Sequence, residues 1–311
     1  MTKTQVPATA PSGSSDPRFV LGLLLTINLV NYLDRYVLAS LLAPIQKELG
    51  ISDTQAGGLA SAFMVIYMIA ALPVGWLADR GGRPPWIAAG IFLWSLATAA
   101  SGLARSYWQL FLARATVGIG ESCYGAISPS FVEEHFPPER RGRVLGLFSM
   151  AIPVGSALGF VLGGEIGERL GWRPAFWIVG IPGLILAFFA WRLKDPKSGA
   201  RTARENPPLS DYFSLFKIPS FTLVTLAGAA MTFSLGGLAV WMPTYYVREW
   251  GMSLGKAGSL FGGITVLSGI LGSLAGGWIS DWILKFNSRA YFLVSGLGML
   301  IGLPLAASAL L

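Results

Sequence analysis

Cys123 is the one cysteine in a chain of 311 residues, which excludes an internal disulfide and any cysteine-built metal cluster. Charge is also scarce. Asp, Glu, Lys and Arg together make up 13% of the residues, about half the ~25% share usual in soluble domains. The net charge of +7 raises the question of nucleic acid or an acidic partner. The basic residues sit in short loops between apolar runs, however, so they read as signals of membrane orientation and no nucleic-acid partner is expected. Phosphate loop, nucleophile elbow and dinucleotide fingerprint are all missing. The Gly-Gly of Asp79-Arg-Gly-Gly-Arg83 follows no strand and is no nucleotide loop. No enzyme activity, cofactor or metal is therefore expected. His135, the single histidine, stands among Glu133, Glu134 and Glu139 and reads as a solvated loop residue.

What fills the chain is apolar. Hydrophobic residues make up 53%, with 39 Gly and 11 Trp, the composition of close helix packing and interface anchoring in a bilayer. Nine apolar segments can be marked, roughly 19–43, 56–78, 85–103, 107–131, 143–166, 173–192, 219–247, 257–281 and 290–311. Each is near the ~20 residues a helix needs to cross the hydrocarbon. Internal prolines at Pro73, Pro129, Pro153 and Pro182 mark bends that a helix bundle tolerates. The expected class is an all-α membrane protein.

Orientation follows from Lys and Arg. With the N-terminus inside, fifteen basic residues in or beside the loops fall inside and six outside, so the N-terminus is expected to be cytoplasmic. Residues 1–18 form a polar, Pro- and Ser-rich cytoplasmic tail with no signal-peptide pattern. Residues 19–192 form a six-helix bundle, and 193–218 a cytoplasmic linker with a short amphipathic piece at Leu209–Phe216. Residues 219–311 hold three more helices. Gly75-Trp-Leu-Ala-Asp79, after the second helix, is echoed by Gly277-Trp-Ile-Ser-Asp281, after the eighth. Matching positions in two halves indicate a duplicated transporter architecture. Twelve helices are then expected, and the sequence, ending in an apolar run at Leu311, reads as a fragment lacking three.

The chemistry lies in ionisable groups inside the spans, which are costly there and mark transport pathways by default. Helix 1 carries Asn28, Asn31, Tyr32, Asp34 and Arg35; helix 4 carries Arg114 and Glu121. At a rise of about 1.5 Å per residue, Asp34 lies about 22 Å in from the inner side and Arg114 about 10 Å in from the outer side. The two are thus at similar height. One reading is a proton-coupling network in which a carboxylate binds and releases a proton as its arginine contact changes. The other is a permanent structural pair, Asp34–Arg114 or Asp34–Arg35; Arg35 fits either role equally. Asp79, Arg80 and Arg83, with Gly277 and Asp281 at the matching place in the second half, suit a latch engaging a helix end of the opposite half, with Gly75 permitting close approach; a plain topogenic loop would explain the arginines but not the paired Gly/Asp pattern.

Weaker candidates remain. Gly118 and Gly120 read as one packing stripe on helix 4, and Gly155, Gly159 and Gly163 as a ladder on helix 5. Met64, Tyr67, Met68, Phe148, Met150, Phe233, Trp241 and Tyr245 are candidate walls of a large apolar cavity.

These motifs carry a resemblance. Gly75–Arg83 resembles the loop 2–3 signature of the major facilitator superfamily of secondary transporters, and Arg114-x-x-x-Gly118-x-Gly120 its helix 4 motif. Arg83-Pro-Pro departs from the signature's usual basic ending. Within that superfamily, Asn31-Tyr-Leu-Asp34-Arg35 and the context of Glu121 resemble bacterial Spinster homologues, whose eukaryotic relatives export sphingosine-1-phosphate or lysophospholipids. The same helix 1 pattern is similar to that of organic anion:cation symporters. The Spinster resemblance implies Asp34 as the main protonation site, Arg114 as its partner, Glu121 as a second protonatable or substrate-contacting group, and Arg35 as support.

The function expected is secondary transport of a sphingolipid-like or lysolipid amphiphile by alternating access, coupled to protons, by a monomer in the bacterial inner membrane. Expected substrate contacts are Arg114, Glu121, Asn31, Tyr32, Tyr67, Met64, Trp241 and Tyr245. The rival within the same fold is a symporter of small organic anions or sugars, with a smaller and more polar cavity.

Overall fold

The computed structural model describes residues 15–196 and 214–310, with the side chains of 79–81, 309 and 310 outside it. Every regular element among the described residues is helical. In order they are α1 (Pro17–Leu49), α2 (Asp53–Gly81), α3 (Arg83–Ser101), α4 (Tyr107–Gly125), the short α5 (Ser128–Glu134), α6 (Pro138–Leu170) and α7 (Trp172–Trp191). A 3-10 turn at Leu215–Lys217 then precedes α8 (Pro219–Arg248), α9 (Leu254–Leu284) and α10 (Ala290–Leu310). The nine long helices correspond to the nine apolar segments.

Six of these, α2 and α6 to α10, are long and apolar enough to cross a membrane. α1, α3 and α4 fall short of that apolarity because they carry the polar groups of the interior, among them Asn31, Asp34, Thr98, Arg114 and Glu121. The expected amphipathic piece at 209–216 falls mostly outside the described residues. Its last two positions, Leu215 and Phe216, are exposed.

Local signals set the helix ends. Asp16 caps α1 by accepting from the backbone N–H of Arg18 at 2.9 Å, with Pro17 in the first turn. α1 ends at Gly50, whose φ of 63° is the left-handed conformation a glycine adopts without strain. Ser52 and Gln55 then form a reciprocal capping box that starts α2. The segment expected as one helix over 107–131 is two: α4 stops at Gly125, and Pro129 lies in the first turn of α5. Pro129 therefore opens a helix and does not bend one, because its missing N–H costs nothing there.

The chain forms two compact units, one up to Gly262 and one from Gly263, with α9 running from the first into the second. In the first unit, α1 packs on α6, α2 on α4, and α3 on both α4 and α7. Glycines bring these helices into backbone contact. A Cβ on Gly155, Gly159 or Gly163 would stand 2.6, 2.5 or 3.1 Å from the carbonyl oxygens of Leu29, Leu33 and Val37, so the ladder is the seat of α1 on α6. Gly118 and Gly120 do not form one stripe. Gly118 faces Phe63 of α2 and Gly120 faces Gly90 and Trp94 of α3, as two residues 200° apart on a helix must. α4 is thereby clamped between α2 and α3.

Two apolar clusters fill the first unit. One gathers Leu24, Ile27, Phe63, Ile91, Trp94, Val117 and Tyr124. The other gathers Leu33, Val37, Leu41, Leu59, Leu110 and Phe176. Along α1, α2 and α4 the change from one cluster to the other falls between Ile27 and Leu33, Leu59 and Phe63, and Leu110 and Val117. Asp34 and Arg114 lie at that seam.

Candidate functional site

Asp34 is 1% exposed. Thr98 on α3 donates its hydroxyl to Oδ2, and Arg114 on α4 brings Nη1 to 3.5 Å from Oδ1. That pair is an ion pair without an aligned hydrogen bond. Asp34 Oδ1 and the Nε and Nη1 of Arg114 are buried without hydrogen-bond partners among the described residues. The next residue, Arg35, turns to Glu121, donating from Nη2 at 2.6 Å and from Nε at 3.2 Å to Oε2. Glu121 Oε1 has no partner either. Of the two pairings open in the sequence for Asp34, the structure shows Asp34–Arg114, and it gives Arg35 to Glu121. Two carboxylates and two guanidiniums from α1 and α4 are thus gathered in one neutral set.

Aromatic rings line it. The Arg35 guanidinium carbon lies 4.9, 5.0 and 5.4 Å from the ring centres of Tyr32, Phe63 and Tyr67, and Arg114 lies 5.5 Å from that of Phe63. These are cation–π distances. Asn31, one turn before Arg35, is buried with a free Nδ2, while Asn28 donates to the carbonyl of Phe148 at 3.0 Å.

Two contributors escaped the sequence reading. Phe63 looks like any core aromatic. Thr98 belongs to Ser95-x-x-Thr98-x-x-Ser101, one hydroxyl per turn of α3, all wholly buried. That spacing of hydroxyls within an apolar run is the signal that was there to be used.

The expected cavity walls do not all converge. Tyr32 and Tyr67 touch the charges, and Met64 is exposed one turn from them. Trp241 instead stands over Gly57 against the cluster at the end of α1. Tyr245 packs beside Tyr246 and Trp250 at the end of α8. Phe148 is buried against Tyr124 in the core. A groove of about 570 Å³ lies between α3 and α4, lined by residues such as Leu96, Ala100, Leu103 and Leu112, and none of the four charges lines it.

Arg83 is engaged inside the first unit. Nη2 reaches Asp195 Oδ1 at 2.6 Å and also Glu134, Nε reaches Asp195 Oδ2 at 3.1 Å, and the guanidinium lies 5.0 Å from the Phe131 ring centre. Burial opposes its charge, yet Asp195 and Glu134 hold Arg83 above its ordinary range. His135 is a correction. It is half-buried against the Phe131 ring, with Nδ1 2.7 Å from the Phe131 carbonyl oxygen, because α5 folds it back over the bundle. Burial, with Arg83 nearby, pushes its pKa below the usual histidine value. Gly75 and Gly277 each face open space, so neither is pressed against a neighbour here. The side chains of Asp79 and Arg80 lie outside the described residues. Asp281 accepts from the Tyr291 hydroxyl at 2.7 Å.

At the far end of α1, Arg248 donates to Asp53 at 2.8 Å and to Gln46 at 2.7 Å, while Gln46 also donates to Asp53. Glu168, at the end of α6, accepts from the backbone N–H of Gly255 at 2.6 Å. These contacts tie the end of α8 and the start of α9 to α1, α2 and α6.

Comparison with known proteins gives the family and the fold. The family described as Major Facilitator Superfamily matches residues 24–311. Protein spinster homolog 1 of Xenopus laevis is 35% identical over 305 residues, covering 91% of this chain and 58% of that protein. A sphingosine-1-phosphate transporter of Xenopus tropicalis is 33% identical over 297 residues, covering 90% of this chain and 58% of its own length. This chain thus spans a little under three-fifths of these relatives. Among solved structures, a bacterial homologue of the human lysosomal transporter Spinster, inward-facing and occupied, superposes with a TM-score of 0.76 at 28% identity, covering 94% of this chain and 67% of that one.

Proposed function

The chain belongs to the major facilitator superfamily, and from that premise we propose that it is a multi-pass secondary transporter moving a lipid-like amphiphile by alternating access. The observation that carries the reading is the Asp34–Arg114 pair. It is fully buried, yet both partners keep unfilled hydrogen-bonding positions. A permanent structural ion pair has to satisfy its lone pairs and protons to offset desolvation. One left incomplete between two apolar clusters suits a contact that is made and broken.

In the proposed cycle, a proton taken up by Asp34 neutralises the carboxylate and frees Arg114, with Thr98 remaining as a hydrogen-bond partner. Arg35 and Glu121 hold the neighbouring pair and face the substrate. Similarity to a sphingosine-1-phosphate transporter supports a substrate with a charged head and a single long chain. The N-terminus is placed in the cytoplasm of a bacterial cell, with residues 19–192 as one rocking bundle and 219 onward as the start of the other. The Arg248 and Glu168 contacts then close the outer side, which agrees with the inward-facing state of the bacterial relative. Gly75, Asp79, Arg80, Arg83, Gly277 and Asp281 remain the proposed latch, with Arg83 in this state held by Glu134 and Asp195. One chain suffices for the site.

The test is flux of a labelled lysolipid or sphingoid phosphate into proteoliposomes under an imposed pH gradient, with wild type, Asp34→Asn and Glu121→Gln. Gradient-driven flux abolished by Asp34→Asn supports the reading. Flux indifferent to both the gradient and Asp34→Asn refutes proton coupling, and movement of small organic anions alone refutes the amphiphile.

A further inference from the structure

α3 and α4 meet backbone to backbone at Gly120, where an added Cβ would stand 2.6 Å from the Trp94 nitrogen. Beyond that clamp, toward the connection between the two helices, they enclose the groove of about 570 Å³. Alanines make the room: Ala97 and Ala100 on α3, Ala104 in the connection and Ala113 on α4. The volume is within the ~300–1,000 Å³ of small-molecule sites. From Leu93 to Ala104 the groove runs about 16 Å, close to half of the ~30 Å hydrocarbon thickness. Thr116, the hydroxyl in its wall, donates to the Leu112 carbonyl at 2.8 Å, so the deep end is apolar.

The mouth is different. Gln109 lines it and accepts the backbone N–H of Arg105 at 2.8 Å, and its amide NH₂ makes no hydrogen bond among the described residues. Arg105 is exposed, and its guanidinium has no ion pair or hydrogen bond among the described residues. Arg169, Arg173 and Arg248 each hold a carboxylate instead. Trp108, exposed and edge-on to Tyr107 and Phe111, is a ring of the kind that sits at headgroup level. Arg173 fixes the wall by donating to the Ala104 carbonyl at 2.8 Å while Glu48 holds it from the other side.

We propose that the α3–α4 groove holds one acyl chain of an anionic diacyl phospholipid of the surrounding membrane, with its phosphate on Arg105 and Gln109. An apolar slot open to hydrocarbon is filled by a chain, because water is absent there and a void forfeits contacts. Its depth suits a chain of one leaflet, the outer one in the proposed orientation. Charge complementarity selects the head: an unpaired guanidinium and a spare amide donor at headgroup level call for phosphate. The lipid is a resident and not the cargo, since none of the four buried charges lines the groove. Its place gives it a task. Ala97 and Ala113 in the groove wall are the chain neighbours of Thr98 and Arg114, the two groups that reach Asp34. A seated chain keeps α3 and α4 at the separation at which both do so. The inference stands apart from what the protein transports.

The test places the full chain in phosphatidylcholine nanodiscs with a trace of phosphatidylglycerol or phosphatidylcholine carrying a diazirine on one acyl chain. Labelled peptides are read by mass spectrometry after illumination. Phosphatidylglycerol is expected to label residues 93–104 and 109–116 about fivefold more than phosphatidylcholine does, the scale of one basic residue beside an anionic lipid. Ile185 and Phe188, exposed on α7, are expected to be labelled equally by both probes. Arg105→Gln should bring the groove ratio toward one. Ala100→Trp, which fills the groove from an exposed position, should remove groove labelling and leave that of α7, which shows the protein to be folded and inserted. Groove labelling without headgroup preference makes this ordinary lipid contact and overturns the site. An absence of groove labelling in the wild type overturns it too, with protein filling the space. Loss of the label to an excess of lysolipid overturns it in favour of a path for the substrate.

Discussion

Asp34 and Arg35 are neighbours in the chain and do not pair with each other. Asp34 meets Arg114, and Arg35 meets Glu121, seven residues further along α4. Consecutive residues on a helix point about 100° apart, so α1 offers α4 a negative and a positive group at two angles, and α4 answers each with the opposite sign.

Glu121→Met is expected to leave the Arg35 charge without its partner and to destabilise the protein by about 3–5 kcal/mol, the cost of halving a buried pair. Replacing both, as Arg35→Met with Glu121→Met, is expected to recover most of that loss. Thermal unfolding in nanodiscs, read as a double-mutant cycle, decides between this and independent roles. Additive losses would mean that the pair is not coupled.

Thr98→Val keeps the shape of the side chain and removes the hydroxyl that donates to Asp34. The expected loss is about 1–3 kcal/mol, with Thr98→Ser close to wild type. A Thr98→Val protein of unchanged melting temperature would show that the hydroxyl contributes nothing to holding the carboxylate.

Gly159→Ala adds a Cβ 2.5 Å from the Leu33 carbonyl oxygen, where the obstacle is backbone. Overpacking of this kind costs about 1–3 kcal/mol. Gly75→Ala, which meets open space, is the control, and a similar loss in both would sink the close-contact account of the ladder.

His135 gives the fold a pH dependence of definite sign. Its pKa is lowered in the folded protein from the ordinary 6.5. The unfolded chain therefore binds the proton more readily, and stability present above about pH 6.5 is lost as pH falls through the folded value. His135→Gln should flatten the melting-temperature profile between pH 7 and the acid side. An equally steep profile in the variant would place the titration elsewhere.

The contact of Asp53 with Arg248 predicts that cysteines at these two positions, in a Cys123→Ser background, cross-link with a short bifunctional reagent. Transport should stop on cross-linking and resume on cleavage of the linker. Full transport by the cross-linked protein would show that this end of the bundle does not open.

How far the sequence disclosed all this differs from residue to residue. Asp34, Arg114 and Glu121 were legible because a charge inside an apolar run demands an explanation. Thr98 was not, since a hydroxyl in a helix satisfies itself on its own backbone, as Ser101 does on the Ala97 carbonyl. Asp34–Arg114 was one of two pairings that the sequence left open, whereas Glu121 as the partner of Arg35 was hidden: it depends on the rotation of α4 about its own axis, which Gly118 and Gly120 set by facing two different helices. Trp241 and Tyr245 had the right chemistry for a cavity wall, but the crossing of α8 over α1 put them at another level. His135 was misjudged because the acidic residues around it suggested water, whereas the short α5, hidden in what read as the end of a span, turns its ring onto Phe131.

The neutrality of the four-charge set has an electrical consequence. A membrane potential acts on each elementary charge carried across it with about 2.3 kcal/mol per 100 mV. In the proposed cycle, with Asp34 and Glu121 ionised, the return of the empty carrier would move two positive and two negative charges together, and the voltage would exert no net pull on that step. Any voltage dependence of turnover would then belong to the proposed step in which Asp34 carries a proton.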